Sequence, residues 1–156
     1  MTRAFVGLGS NLGERETTLR AAVGRLRGVP QTEVRGVSSF RDTEPVGYVD
    51  QPRFLNGAVE LDTGLSARDL LAALLALERD FGRDRSTSAP QGPRTLDLDL
   101  LLYGDATIYE PGLEVPHPRL HERRFVLEPL SELDPALVVP GRGAVQALLA
   151  KLDSSS

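Results

Sequence analysis

Stretches of alternating and helically spaced apolar residues follow one another along this chain. In RAFVGLGS apolar residues crowd ahead of a Gly/Asn turn, which predicts a short buried strand. In ERETTLRAAVGRLRG they recur at helical spacing, predicting an amphipathic helix that Gly28 is placed to stop. TEVRGVSSF then predicts a second strand, RDTEPVGYVDQP a long Pro/Gly loop, and FLNGAVELDT a third strand. The strongest helical signal is SARDLLAALLALERDFG. Ser66 can cap it, Asp69 lies in its first turn, its leucines form a wide stripe, and Gly82 ends it. RDRSTSAPQGPR is a polar connection into a fourth strand, TLDLDLLLYG. Beyond a turn at Gly104 and Asp105, EVPHPRLHERRFVLEPL is expected to be irregular or briefly helical, and GAVQALLAKL to form a closing helix.

The order β-α-β-β-α-β implies an α+β fold of ferredoxin-like type, a mainly antiparallel sheet flanked by helices with functional loops at one rim. The expected organisation is one domain over residues 1–153, with 154–156 a disordered serine tail. At 156 residues the chain can bury a compact core without disulfides or a structural metal. Hydrophobic residues at 40% and charged residues at 26%, with no apolar run of membrane-spanning length, predict a soluble protein. No secretory leader is visible in MTRAFVGLGSNLG, so the cytoplasm is the expected compartment. The absence of cysteine excludes a thiolate nucleophile, a disulfide framework and a Cys-based zinc site. A net charge of -4 argues against duplex nucleic acid as the main partner. Lys151 is the single lysine, so positive charge is almost all arginine, whose planar fork suits bidentate binding of phosphate or carboxylate.

The stretch GPRTLDLDLLLYG carries the first chemical signal. Asp is a poor strand former, and strand side chains alternate in direction. Asp97 and Asp99 must therefore share one face, while Leu96, Leu98 and Leu100 share the other. Carboxylates at that spacing are roughly 6 to 7 Å apart along the strand, near enough to converge on cations between them. A pair of Mg2+ ions held there would suit phosphoryl transfer, and hard oxygen ligands favour that metal. A solvated acidic face would explain the aspartates alone equally well. Arg94 just before the strand, with Arg83 and Arg85 at the far end of the loop, weighs toward a polyphosphate site on the same rim. A surface salt-bridge cluster would look similar.

Three further features bear on the chemistry. GLGSNLG has Leu12 where the dinucleotide fingerprint needs its third glycine, and no Gly-Lys-Ser/Thr follows, so a tight strand-to-helix turn is expected. His117 and His121 have i,i+4 spacing, but Pro118 interrupts a helix through them. His117 is read as a donor to an anion, or as a structural hydrogen bond. Aromatic residues are only 5% of the chain. Phe54 and Phe125 could form a slot for a flat heterocycle with Asn56 on its edge, core packing being the alternative for each ring.

Taken in order, GLGSNLG, TEPVG with DQPRFLN, GRDR, GPRTLDLDLLLYG and VPHPRLHERRFVL closely resemble the 6-hydroxymethyl-7,8-dihydropterin pyrophosphokinases of folate biosynthesis, over nearly the whole chain. The resemblance implies a ferredoxin-like fold and transfer of pyrophosphate from ATP to the pterin hydroxymethyl group, releasing AMP. The expected partners are the small-molecule substrates ATP and 6-hydroxymethyl-7,8-dihydropterin, with no nucleic acid and no membrane, and a monomer is expected. By matching position, Asp97 and Asp99 look like ligands of two Mg2+ ions bridging the substrates. Phe54 and Phe125 look like the pair that sandwiches the pterin, and Thr43, Val46 and Asn56 sit where the family hydrogen-bonds its edge. Glu78, Arg83, Arg85, Arg94, Leu100, His117 and Arg123 fall at nucleotide- or phosphate-contacting positions, with Arg83 and Arg94 expected to stabilise phosphate charge. The chain departs from the family pattern in STSAPQGPR, where many relatives carry a basic residue and a tryptophan and this chain has Gln91 near that place. Pro118 likewise replaces a common aromatic. Two other readings compete: a palm-like two-metal nucleotidyltransferase, which would release pyrophosphate, and a catalytically silent nucleotide- or pterin-binding module.

Overall fold

The computed structural model describes residues 1–43, 53–82 and 96–154. The central sheet holds β1 (Thr2–Ser10), β2 (Thr32–Val37), β3 (Arg41–Thr43), β4 (Phe54–Thr63) and β5 (Asp97–Tyr103). Its order is β2-β4-β1-β5, with every neighbouring pair antiparallel and β3 pairing with β4 beyond the end of β2. Helix α1 (Arg15–Leu26) links β1 to β2 across β4, and α2 (Ala67–Asp80) links β4 to β5 across β1. Each helix thus joins two parallel strands with an antiparallel one inserted between them. These interleaved split β-α-β units are the ferredoxin-like α+β arrangement expected from the order of elements.

The sheet is covered on both faces. Ala4, Val6 and Leu8 of β1, with Leu98 and Leu100 of β5, pack under Leu19 and Leu26 of α1 and Leu70, Leu74 and Leu77 of α2. On the opposite face Phe5, Leu101 and Leu102 pack with α3 (Arg124–Leu133) and α4 (Val145–Ser154) through Leu127, Leu130 and Val145. The Ser66 side chain accepts the Asp69 N–H at 3.1 Å and caps α2, and Gly82 at φ +89 follows its end. Among the described residues no helix is long and apolar enough to cross a membrane.

Two expectations need correction. Arg41–Thr43, read as loop, is a strand: three residues are too few to display alternation, and the segment is extended because it pairs with β4, Arg41 opposite Asn56 and Thr43 opposite Phe54. The segment read as irregular or briefly helical contains a 3-10 turn at Leu120–Glu122 and then the ten-residue α3, with Pro129 inside it. A proline costs a helix one backbone bond, but here Leu127 and Leu130 are fully buried against the sheet, and burial outweighs propensity. Two short hairpins, β6 (Ile108–Glu110) with β7 (Leu113–Val115) and β8 (Val138–Val139) with β9 (Gly143–Ala144), were also not predicted.

Candidate active site

The site begins with the register of three strands. Gly9 of β1 lies between Asn56 of β4 and Asp97 of β5, and Gly7 lies between Ala58 and Asp99. Directly opposed residues share a face, so two side-chain-free positions run down the middle of a row flanked by an amide and two carboxylates. The result is a trough in the sheet. A methyl group at Gly9 would stand 2.6 Å from Asn56 Oδ1, and one at Gly7 would stand 3.3 Å from Leu101 Cδ1. GLGSNLG is therefore not simply a tight turn. Its first two glycines are the floor of the trough, and the turn falls at the following residues, where Gly13 has φ +63. Glycines two apart within an apolar strand were the signal that reading missed, because such positions mark one face where something approaches closely.

Asp97 and Asp99 are half-buried on the trough side, with Leu96, Leu98 and Leu100 buried on the other, as alternation requires. The alternation ends in a bulge. Val6 pairs with Leu100 but Phe5 with Leu102, and Leu101 and Leu102 both join the core beneath α3. A bulge beside a site turns the strand and re-aims its side chains. Here it returns β5 to the core directly after the second carboxylate.

Around the trough stand Thr43, Phe54, Asn56, Arg123 and Phe125. Phe54 is the first residue of β4 and Phe125 the second of α3, so distant elements bring two aromatic faces to one cavity. Buried Asn56 donates through Nδ2 to Thr43 Oγ1. That bond fixes the amide's orientation and leaves its second N–H for another acceptor. Arg123 precedes α3, with its guanidinium carbon 5.7 Å from the Phe125 ring centroid. Its Nε is buried with no hydrogen-bond partner among the described residues. Burial, and then the charge of Arg119, pull its pKa down against Asp99 and Asp97, yet an arginine remains cationic. An unserved buried cationic donor is costly unless an anion completes it.

A second cavity follows the outer edge of β5, lined by Leu71, Leu98, Leu100, Leu113 and His117, and Asp99 lines both cavities. Glu78 is buried, and its Oε2 accepts the Leu98 N–H at 2.7 Å. The Leu98 backbone therefore points away from β1. Strand alternation sends the Leu100 backbone to the same edge, while the Leu100 side chain is buried in the core. What Leu100 can offer a ligand is its peptide group.

His117 is tied to β5 by its own N–H, which donates to Leu101 O at 3.0 Å. Its Nδ1 is assigned as acceptor of a long 3.5 Å contact from the Arg119 N–H, which puts the ring proton of neutral His117 on Nε2. Burial lowers its pKa, Arg123 and Arg119 reinforce the shift, and Asp97 opposes it. Below pH 6.5 the unfolded chain then takes up this proton before the folded one does. In ligand-free protein this contribution to stability should be complete above pH 6.5 and decline as pH falls through the lowered folded value. Thermal unfolding of wild type and His117→Asn across that range checks the sign. The variant should lose less stability on acidification, and parallel curves would refute the assignment.

Of the residues singled out in the sequence, Thr43, Phe54, Asn56, Asp97, Asp99, Arg123 and Phe125 meet at the trough, and Leu100 and His117 line the second cavity. Val46, Arg83, Arg85 and Arg94 lie outside the described residues.

Residues 5–135 match the family described as 7,8-dihydro-6-hydroxymethylpterin-pyrophosphokinase (HPPK). The chain is 45% identical over 148 residues to the 2-amino-4-hydroxy-6-hydroxymethyldihydropteridine pyrophosphokinase of Pseudomonas aeruginosa, covering 95% of this chain and 90% of that one. The protein of the same name from Bacillus subtilis is 48% identical over 130 residues, covering 83% of this chain and 77% of the relative. That of Methylorubrum extorquens is 43% identical over 155 residues, covering 99% and 96%. A crystal structure of HPPK-DHPS in complex with substrates has the same fold, with a TM-score of 0.76 at 12% identity over 99% of this chain and 44% of that one. With a family match across most of its length and relatives of this identity along nearly whole chains, the protein belongs to the 7,8-dihydro-6-hydroxymethylpterin-pyrophosphokinase family.

Proposed function

We propose that this protein transfers pyrophosphate from ATP to the hydroxymethyl group of 6-hydroxymethyl-7,8-dihydropterin, with the pterin in the trough and the nucleotide along the outer edge of β5. The observation that carries this reading is the shared wall: Asp99 lines both cavities, so ligands filling them meet beside the paired carboxylates. Holding two reactants across one wall turns a bimolecular encounter into an effectively unimolecular step. Phe54 and Phe125 would take the two faces of the ring, the Thr43–Asn56 pair its polar edge, and the unserved Nε of Arg123 an anionic or carbonyl oxygen. Arg83, Arg85, Arg94 and Val46 belong to the proposal through their sequence positions, as does Glu78, which holds the N–H of Leu98 in the wall of the second cavity.

The donor set at β5 fits Mg2+. Two half-buried carboxylates present hard oxygens, and among the described residues no group of three or more His, Cys, Asp or Glu side chains could hold an ion alone. Coordination would be completed by phosphate oxygens and water, the way Mg2+ is commonly held. When bound at Asp97 and Asp99, a pair of Mg2+ ions supplies charge neutralisation for the polyphosphate and lowers the pKa of a coordinated hydroxyl. The pterin hydroxyl oxygen bonds to the β-phosphorus as that atom's bond to the α-bridging oxygen breaks. AMP leaves with the bridging oxygen, and the hydroxyl proton passes to solvent. The protein's part is orientation and charge: it aligns the oxygen in line with the leaving group and sets arginines around the phosphates.

The test is AMP formation by the purified protein with ATP, Mg2+ and the pterin, with controls omitting the pterin or the metal. AMP that depends on both supports the proposal. Pyrophosphate release in its place would indicate nucleotidyl transfer, and pterin binding without turnover would indicate a silent binding module.

A further inference from the structure

Among the described residues strand β3 pairs with β4 alone, and it carries Thr43, the acceptor that orients Asn56 in the trough. An edge strand has a neighbour on one side only, so side-chain contacts weigh more in holding it. Side chains from both faces of the sheet reinforce it. On the α1 face Asp42 receives both terminal nitrogens of Arg15, at 3.1 and 3.3 Å, and Arg53 Nε at 2.9 Å. Arg15 Nη1 also donates to the Arg53 carbonyl at 2.8 Å. One carboxylate thereby joins the start of α1, strand β3 and the residue preceding β4. On the α3 face Glu132 accepts the Ser39 N–H and hydroxyl, each at 2.7 Å, and Arg41 Nη2 at 3.0 Å. Asp42 lies opposite Leu55 in the ladder, between the Arg41–Asn56 and Thr43–Phe54 pairs. The two carboxylates therefore grip β3 directly beside the residues that shape the trough.

We propose that Asp42 and Glu132 are positioning residues for pterin recognition: from opposite faces of the sheet their carboxylates hold β3 so that Thr43 aligns the Asn56 amide with the edge of the bound ring. The inference rests on the pterin reading of the trough and adds to it two residues outside the cavity. Neither carboxylate touches the reacting atoms, so each acts on the affinity of one substrate. Exposed ion pairs add little to global stability, and both carboxylates are partly solvent-accessible. Their removal should therefore register in recognition and hardly in unfolding.

The experiment compares wild type with Asp42→Asn and Glu132→Gln. It measures pterin Kd by calorimetry without nucleotide, the KM of each substrate, kcat and Tm. Each variant should weaken pterin binding about 3- to 10-fold, the consequence of losing one oriented hydrogen bond. ATP KM, kcat and Tm should stay close to wild type. Asp42→Glu, which keeps the charge, should recover most of the affinity. Raising salt to about 1 M, where screening acts within roughly 3 Å, should weaken wild-type pterin binding and change the double variant carrying Asp42→Asn and Glu132→Gln little. Unchanged pterin affinity in both variants overturns the inference, as does a joint rise of both KM values with a fall in Tm, the mark of a merely structural role. A wild type that binds no pterin, with or without a non-hydrolysable ATP analogue, removes the underlying reading as well. A wild type and variants that all bind it equally remove only this one.

Discussion

Replacing Asp97 or Asp99 by alanine should lower AMP formation by about a thousand-fold or more if they hold the proposed Mg2+, because metal stabilisation of developing phosphate charge contributes several kcal/mol and each 1.36 kcal/mol is a factor of ten. Binding of the pterin alone should change little. The groups proposed to take the ring, Phe54, Phe125 and Asn56, line the trough from other elements than β5. The two effects separate cleanly: kcat collapses while pterin Kd, measured without nucleotide, stays within a few-fold of wild type. The loss follows from position as well as charge. Asp99 lines both cavities, and Asp97 sits one row along beside Gly9 on the same face. Asp97→Asn retains the volume and removes only the charge. Near-normal turnover by that variant would sink the assignment of the paired carboxylates, and Tm measured alongside guards against simple unfolding.

Gly9→Ala should produce the second large effect through a single added methyl group. That carbon would lie 2.6 Å from Asn56 Oδ1, far inside contact distance, and Asn56 is buried and bonded to Thr43. Either the amide moves and the Thr43 contact is lost, or central strand β1 shifts against β4. Overpacking of this kind costs about 1 to 3 kcal/mol of stability, and pterin affinity should fall roughly 10-fold or more through the displaced amide. Two other glycines serve as references. At Gly7 the new carbon would meet only the end of the Leu101 side chain, at 3.3 Å, which can yield, so the effect should be smaller. At Gly13 the space is open but φ is +63, so alanine should cost about 1 kcal/mol in stability and leave pterin binding unchanged. Wild-type pterin affinity in Gly9→Ala would show that the trough floor tolerates a side chain.

The Gly9 contrast also marks the limit of what could be read in advance. Where structure depends on local periodicity, the sequence was sufficient. Alternation in TLDLDLLLYG sets Asp97 and Asp99 on one face, Ser66 and the leucine stripe define α2, and the order of strands and helices specifies the ferredoxin-like sheet. These features are properties of contiguous residues, and the backbone repeat alone imposes them. Contacts between distant residues are different. Arg41–Thr43 is a strand only because β4 lies beside it, and α3 tolerates Pro129 only because its apolar face is buried against the sheet. Gly7 and Gly9 become a floor only when strand register sets Asn56 on one side and the aspartates on the other. The same holds for the unserved Nε of Arg123 and for Asp99 standing between two cavities. The sequence alone determined which residue types could do chemistry here and which face of their own element they occupy. Tertiary structure decided which of them meet, because register and burial follow from the energy of packing the whole chain rather than from any local pattern.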